Sequence, residues 1–329
     1  MALDAAMLTG LVEGSDEEAW RVIINHAIDI AAKPLLPEKS TGEVIRRERE
    51  IGLLDHFLSS SAWDLWQNFG SAVERTSDRL VRWWSEPYSA KAILILDGLS
   101  LRELPWLLQG AEQHGFTLHN VSAFASELPG ETNEFARSLG FGSRSQLQNN
   151  GGGGAHRLQQ TATETVDMPW KDCEALITAA QNWVFWHHWP DSKIHDGAVA
   201  GQGLDTLTRD AADQLTSADF WSFVEHLATG RRLVITSDHG YAATGYFPDA
   251  EGEVSQYLKS TFSSGRSAKG QGETGPFVPP VAMQIAGPHG DHRLAVGRWK
   301  WKSPGGYPTL THGGLSLLEV LSPFVEITK

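Results

Sequence analysis

The sequence predicts an α/β fold in which a mostly parallel, doubly wound sheet follows a helical N-terminal region. From residue 91 onward, short apolar runs such as "KAILIL" alternate with longer segments of helical periodicity. This alternation is typical of a parallel sheet with helices on both faces. Residues 1–88 instead repeat apolar side chains at helical spacing. Polar residues directly after several strands indicate, in addition, a site at one edge of the sheet.

The region 1–88 is expected to be helical. The stretch "SDEEAWRVIINHAIDIAAK" begins with a Ser cap followed by acidic residues, and its apolar residues then follow a helical repeat. The stretches "TGEVIRREREIGLLDHFLSSSAWDLWQNFG" and "AVERTSDRLVRWWSE" continue this pattern, with paired charges that are typical of a solvated helix face. We therefore expect this region to supply a helical cap or docking surface, and no chemistry.

Residues 89–329 are expected to form the domain that contains the sheet. Predicted strands lie in "KAILIL", "FTLHNVSAFA", "NWVFWHH" and "RRLVIT", and the later runs "VPPVAMQIAG" and "HRLAVGRWKW" also have strand character. The tail "HGGLSLLEVLSPFVEI" predicts a short helix and a closing strand. Two segments rich in Gly and polar residues, 143–169 and 259–277, are expected to be flexible insertions.

The composition limits the classes of partner. The chain of 329 residues has a formal net charge of −13, which argues against a broad basic surface and thus against tight nonspecific nucleic-acid binding. A nucleotide substrate held through bound cations is compatible with this charge. No run reaches about 18 uninterrupted apolar residues, and no basic signal-peptide start is present. Cys173 is the sole cysteine, so we expect no disulfides. Together with the two preceding observations, this predicts a cytoplasmic protein without a membrane partner.

The stretch "LVITSDHG" is the clearest indication of a site. A β-branched run here ends in Asp238 and His239, two residue types that are poor strand formers and good metal ligands. In a doubly wound sheet, ligands bind at the carboxyl ends of the strands. The alternative interpretation is a turn in which Asp238 bonds its own backbone and Gly240 adopts a positive φ.

Comparable positions after other strands, or beside a predicted helix, also hold polar residues. They are Asp97, Thr132, Asp191, His195 and His312. Each alone also fits a turn former, a helix-start residue or a surface histidine. Together they fall where the sheet would bring them into one cleft. Carboxylates and imidazoles in this combination suit Zn²⁺ or Mn²⁺, and six such ligands with one hydroxyl would satisfy two metal ions.

Four motifs occur in order between residue 90 and the C-terminus: "LILDGLSLRE", "LPGETNEFARS", "LVITSDHGY" and "HGGLSLLEVLSPFVEI". Through them the sequence resembles the PglZ domain of the alkaline phosphatase superfamily, and "DSKIH" has the family's Asp-x-x-x-His spacing. The resemblance implies a sheet of alkaline-phosphatase type, two divalent metal ions, usually zinc, and a Thr or Ser nucleophile. The helical region and the glycine-rich segment have no clear counterpart in the family.

Carried over by motif, the resemblance makes Thr132 the nucleophile that forms a phosphothreonine intermediate. One metal ion would be bound by Asp97, Thr132, Asp238 and His239, and the other by Asp191, His195 and His312. The resemblance favours hydrolysis of nucleotide-type phosphodiesters, in phage defence or signalling. The alternatives are a phosphomonoesterase or phosphomutase of the same superfamily, and a non-catalytic interaction module of a defence complex that docks through its N-terminal helices.

The choice between monoester and diester depends on the groups that meet the outer phosphate oxygens. A monoesterase tends to place an extra cation there, whereas a diesterase tends to have an apolar or aromatic wall. The candidates for this cation are Arg102, Arg137, Lys300 and Lys302. Ordinary surface charge is the alternative interpretation for each of the four.

Overall fold

The computed structural model describes residues 9, 11, 13–36, 40–88, 90–152, 154–196, 203–270, 280–303 and 306–329. The helices are α1 (Asp16–Ala31), α2 (Ser40–Ser61), α3 (Trp63–Ala72), α4 (Thr76–Ser85), α5 (Leu104–Gln113), α6 (Thr132–Ser138), α7 (Trp170–Cys173), α8 (Asp191–Asp196), α9 (Leu204–Leu215), α10 (Ala218–Ala228), α11 (Gly252–Phe262) and α12 (Leu317–Val320). The strands are β1 (Lys91–Leu96), β2 (Thr117–Ala125), β3 (Ala162–Val166), β4 (Trp183–His187), β5 (Arg232–Thr236), β6 (Ser267–Lys269), β7 (Ala282–Gly287), β8 (Gly290–Ala295) and β9 (Leu321–Thr328).

The N-terminal region is helical, as predicted, and comprises α1 to α4 in the described residues before β1. The start of α1 is fixed by a capping box. The hydroxyl of Ser15 accepts the Glu18 backbone N–H, and the Glu18 carboxylate accepts the Ser15 N–H at 3.0 Å. This arrangement satisfies two of the backbone donors that a helix start leaves free.

The described strands form a six-stranded sheet in the order β2-β9-β5-β1-β4-β3. Strands β3, β4, β1 and β5 are parallel, and β9 runs antiparallel to both β5 and β2. The predicted α/β class with a mostly parallel sheet is thereby confirmed. The reversal of β9 has a consequence for the site, because the start of β9 lies at the same edge as the ends of its neighbours.

Side chains alternate across the sheet and bury both of its faces. On β1, Ala92, Leu94 and Leu96 join the core that includes the N-terminal helices. Ile93 and Ile95 point into a second core. That core also contains side chains of α4 and α6. This is the pattern of a sheet covered on both sides, as the alternation of strands and helices predicts.

Buried ion pairs connect α2 to the sheet region. Glu48 accepts hydrogen bonds from Arg102 Nε at 2.7 Å and from Arg298 Nη1 at 2.5 Å. Burial acts to raise the pKa of Glu48, but the two guanidinium groups outweigh it and hold that pKa below its usual value. Asp55, also on α2, accepts from Arg298 Nε at 2.7 Å and from the Leu317 backbone N–H at 2.7 Å. Buried ion pairs thus join the helical region to the rest of the chain.

Two expected insertions contain regular structure. The segment 143–169 holds β3, which pairs with β4 at the edge of the main sheet. The segment 259–277 holds the end of α11 and strand β6, while residues 271–277 lie outside the described residues. The runs predicted as later strands form β7 and β8, and β8 pairs with both β6 and β7 in a separate antiparallel sheet. None of the helices in the described residues is long and apolar enough to span a membrane.

Candidate metal centre

The predicted ligands meet at one edge of the sheet. They are Asp97, Thr132, Asp191, His195, Asp238, His239 and His312, and ion-pair, hydrogen-bond and ring contacts join all seven. Asp97 directly follows β1, α8 begins a few residues after β4, and Asp238 follows β5. His312 precedes β9, and it reaches this edge because β9 runs in the opposite direction. Parallel strands therefore explain most of the convergence, and one reversed strand explains the rest.

One group of ligands consists of Asp97, Asp191 and His239, whose ligand atoms all lie within 4.8 Å of one another. His239 Nε2 is 3.8 Å from Asp97 Oδ1 and 3.4 Å from Asp238 Oδ2. Thr132 adjoins this group, because its hydroxyl donates to Asp97 Oδ1 at 3.2 Å. All of the group's ligands are buried.

A second group consists of Asp191, His195 and His312, again with ligand atoms within 4.8 Å of one another. His195 Nε2 lies 3.2 Å from Asp191 Oδ2, and His312 Nε2 lies 3.8 Å from Asp191 Oδ1. The spacing in "DSKIH" places Asp191 and His195 one helical turn apart on α8. This group has the same members as one of the two predicted ligand sets.

The other predicted set comprised Asp97, Thr132, Asp238 and His239. Of these, Asp97 and His239 have ligand atoms close to one another and to Asp191. Asp238 remains adjacent, and its Oδ1 accepts the backbone N–H of Gly98 at 3.0 Å. Gly98 has a φ of +74°, which a residue with a side chain adopts only with strain, and this turn lets its N–H point at Asp238.

Backbone carbonyls fix the tautomers of two histidines. His239 Nδ1 lies 2.9 Å from the carbonyl oxygen of Gly240, and His312 Nδ1 lies 2.9 Å from that of Gly130. Since a carbonyl oxygen only accepts, each Nδ1 carries the proton and donates it. Each Nε2 is then left with a lone pair, which is the form in which imidazole binds metals.

Buried polar atoms at this edge lack partners. In the described part of the chain, Asp191 Oδ1, Asp238 Oδ2 and His239 Nε2 are buried without a hydrogen bond. His239 Nε2 and Asp238 Oδ2 are only 3.4 Å apart, yet no hydrogen bond joins them. Buried polar atoms are ordinarily paired, so such a set fits a cation that binds all of them. The residues present therefore fit a divalent metal centre.

The pKa values of the three carboxyl groups reflect their crowding. Burial raises the pKa of Asp97 well above its usual value, and the charges of Asp238 and Asp191 raise it further. Burial also raises the pKa of Asp238, to about 6. Burial acts in the same direction on Asp191, but a hydrogen bond with His195 and the proximity of the His239 and His312 imidazoles leave its pKa below the usual range. A divalent cation would relieve the repulsion between these carboxylates.

A cavity of about 900 Å³ opens beside the two groups. Its lining includes Thr132, Asn133, Arg144, Asp167 and His312. Arg144 extends from the segment expected to be an insertion, and its guanidinium donates to Asp97. The sequence offers no motif that singles out Arg144, because the segment around it has the composition of a loop.

The four predicted substrate-binding cations are absent from the lining of this cavity. Arg102 is buried against Glu48, and Arg137 pairs with Glu134 on α6. Lys300 belongs to a backbone bridge with Asp249, where its carbonyl accepts the Ala250 N–H, and Lys302 is exposed. The cation beside Thr132 and Asp97 is Arg144 instead.

Comparisons with known proteins find low overall similarity. No protein-family model matches the sequence, and a search of curated proteins finds no match. Among solved structures, murine ectonucleotide pyrophosphatase/phosphodiesterase 5 aligns with a TM-score of 0.47 at 12% identity, covering 72% of this chain and 87% of its own. An inactive variant of that murine protein in complex with AMP aligns with a TM-score of 0.47 at 12% identity, covering 73% and 88%. The human counterpart aligns with a TM-score of 0.46 at 12% identity, covering 72% and 87%. The function of this chain therefore has to follow from its own site.

Proposed function

We propose that the chain is a metal-dependent phosphoric ester hydrolase with Thr132 as its nucleophile. The observation that carries this proposal is the meeting of one threonine hydroxyl with two Asp/His groups beside a single cavity. Thr132 Oγ1 donates to Asp97 Oδ1 at 3.2 Å, so the hydroxyl is held at the ligand group and lines the cavity. Buried lone pairs of Asp191, Asp238 and His239 support cation binding at the same place.

Phosphoryl transfer would proceed in two steps. The oxygen of Thr132 forms a bond to phosphorus while the ester O–P bond breaks, and the hydroxyl proton ends on the departing alcohol. Water then attacks the resulting phosphothreonine and releases phosphate, or a phosphomonoester from a diester. In the first step, Asp97 orients the Thr132 hydroxyl by accepting a hydrogen bond from it. Divalent cations at the two groups would supply positive charge that favours the alkoxide and offsets charge on the phosphoryl oxygens.

The substrate class and the metal are inferred from the sequence resemblance. It favours zinc and a nucleotide-type phosphodiester, with a phosphomonoester as the alternative. The cavity of about 900 Å³ supports a substrate larger than a phosphate ion. A cytoplasmic location and a role in phage defence or signalling follow from the sequence alone and stay predictions.

Thr132→Ala is the decisive variant. We expect it to lose at least about a thousandfold in kcat/KM, because the nucleophile is gone, while it still binds metal through the aspartates and histidines. Hydrolysis of bis-p-nitrophenyl phosphate and of p-nitrophenyl phosphate, each with added Zn²⁺ or Mn²⁺, measures both ester classes. Removal of metal by a chelator should abolish wild-type activity, and the added ion should restore it.

Thr132→Ser is the matched control, since it retains a hydroxyl and should keep measurable activity. Acid quenching during turnover, followed by mass spectrometry of the peptide around residue 132, should reveal a phosphoryl adduct in wild type. Equal activity of Thr132→Ala and wild type would exclude Thr132 as the nucleophile. Wild type that binds metal and hydrolyses neither ester would favour the non-catalytic interaction module.

A further inference from the structure

Arg144 is a cation in the candidate metal centre to which the proposed reaction assigns no role. Its Nη1 donates to Oδ2 of the completely buried Asp97 carboxylate, and the Trp186 indole N–H donates to the same oxygen at 3.1 Å. The other oxygen, Oδ1, accepts the Thr132 hydroxyl and lies 3.8 Å from His239 Nε2. A single carboxylate therefore contacts the arginine, the proposed nucleophile and a ligand group.

The backbone that carries Arg144 is anchored to the sheet. Arg144 begins a 3₁₀ segment that ends at Asn150. Within this segment the carbonyl of Leu147 accepts the Thr163 hydroxyl at 2.8 Å, and the Asn149 N–H donates to Glu164 at 3.1 Å. Both partners belong to β3. Because the segment is held in this way, we expect a change in what Arg144 contacts to involve its side chain rather than its backbone.

The Arg144 guanidinium, where it lies, disfavours the binding of a cation through Asp97. Arginine stays charged at all physiological pH values. A guanidinium and a divalent ion on one buried carboxylate repel each other, since the low polarity of the surroundings screens them little. The contact of Arg144 with Asp97 and the binding of a cation through Asp97 therefore disfavour each other. Removal of the arginine charge should raise the affinity for the cation.

The cavity offers the guanidinium a second partner. A quarter of the Arg144 side chain is exposed, and it lines the cavity together with Thr132 and Ser143. Thr132 and Arg144 contact the two oxygens of the same carboxylate, so a phosphoryl group at Thr132 would lie beside the guanidinium. The planar fork of arginine binds phosphate oxygens in pairs, which makes phosphate a favourable replacement for Asp97.

We propose that Arg144 competes with a divalent cation for Asp97 and turns to the phosphoryl group at Thr132 once the cation is bound. This inference rests on the metal-dependent function proposed above. It predicts that Arg144 weakens metal binding in the absence of substrate and couples metal binding to anion binding. An orienting role for Arg144 would have the opposite sign, because loss of a hydrogen bond that orients a ligand weakens metal binding.

The test is the Zn²⁺ affinity of the full chain, measured by competition with a chromogenic chelator after metal removal. Arg144→Gln keeps hydrogen-bonding capacity without the charge, and we expect its Zn²⁺ affinity to rise about tenfold. Arg144→Lys keeps the charge and should stay near wild type. Arg137→Gln is the matched control, because Arg137 pairs with Glu134 on α6 and does not line the cavity.

Inorganic phosphate provides a second readout. It should raise the Zn²⁺ affinity of wild type by a larger factor than that of Arg144→Gln, because coupling between two ligands is reciprocal and runs through the arginine. Circular dichroism verifies folding, and Arg144→Met serves as the uncharged variant should Arg144→Gln not fold.

Zn²⁺ affinity that is unchanged or weaker in the uncharged variants overturns the competition. Equal enhancement by phosphate in wild type and variant overturns the coupling. Absence of Zn²⁺ binding in every protein, wild type included, would overturn the metal-dependent function together with this inference, so the two failures are distinguishable.

Discussion

Asp191 is the residue that both ligand groups share. Its two oxygens face different partners, with Oδ2 at 3.2 Å from His195 Nε2 and Oδ1 at 3.8 Å from His312 Nε2. The same side chain also completes the group of Asp97 and His239. A carboxylate shared in this way would contribute negative charge to a cation at either group.

Asp191→Asn should therefore weaken metal binding at both groups. We expect an affinity loss of more than about tenfold for each ion, because an amide lacks the charge that the carboxylate supplies to both. Metal titration with a competing chelator measures it. Asp167→Asn, an exposed acid that lines the same cavity and belongs to neither group, is the control. Two ions bound with wild-type affinity in Asp191→Asn would contradict the shared role.

Individual residues differ in how far the sequence could reveal them. Asp238 and His239 were identifiable because residues of their type follow closely on the β-branched run of a predicted strand. Arg144 was not, because an arginine in a polar, glycine-rich stretch resembles any loop cation. Arg102 was proposed as a substrate contact, but its guanidinium is bound to Glu48, a residue that nothing in the local pattern links to it. The spacing of residues along the sequence does not reveal ion pairs between residues that are distant in sequence.

At the scale of elements, the loop after β5 packs directly on α12. The N–H of Gly240 donates to the Glu319 carbonyl at 2.9 Å. A Cβ at residue 240 would lie 2.2 Å from the carbonyl oxygen of Leu318, which is closer than any non-bonded contact allows. The absence of a side chain at Gly240 thus sets how closely the candidate ligands Asp238 and His239 approach the start of β9.

Gly240→Ala should separate these two elements. We expect it to lower the free energy of unfolding by about 1–3 kcal/mol through overpacking. It should also weaken metal binding, because the neighbouring His239 is displaced. Denaturant unfolding and metal titration measure the two effects. Gly42→Ala is the control, since a Cβ at that exposed helical position meets no atom within 4 Å and should leave stability equal or slightly higher. A Gly240→Ala variant with wild-type stability would refute the close contact.

Most elements of the sheet follow from the sequence, and β3 shows why one did not. Its residues "ATETV" are mostly polar, as in a loop, yet four of the five are buried. The polar groups are satisfied locally, because Thr163 bonds the carbonyl of Leu147 and Thr165 bonds His188. Those partners come from the preceding 3₁₀ segment and from the residue that follows β4. Hydrophobic patterning could not predict a strand whose burial depends on such hydrogen bonds.

For the whole molecule, the N-terminal helices share a core with the sheet. Trp20, Ile51 and Leu54 belong to the same buried cluster as Leu94 of β1 and Leu233 of β5. The predicted division into residues 1–88 and 89–329 remains a prediction about sequence regions, whereas the packing favours cooperative folding of both.

A chain reduced to residues 89–329 should not fold on its own. Removal of the helices would expose the apolar face of the sheet and leave Arg102 and Arg298 without Glu48 and Asp55. Thermal unfolding and limited proteolysis, with the full chain as reference, measure this. A fragment that unfolds cooperatively and binds Zn²⁺ would show instead that the helical region is a separable domain.

The candidate ligands are drawn from positions as distant as Asp97 and His312, so they adjoin one another only in the completed fold. Ions that require all of them would bind the native chain and largely ignore the denatured one, which shifts the folding equilibrium by mass action. Under this proposal, the supply of free metal in the cell would govern the protein's lifetime and abundance, in addition to its chemistry.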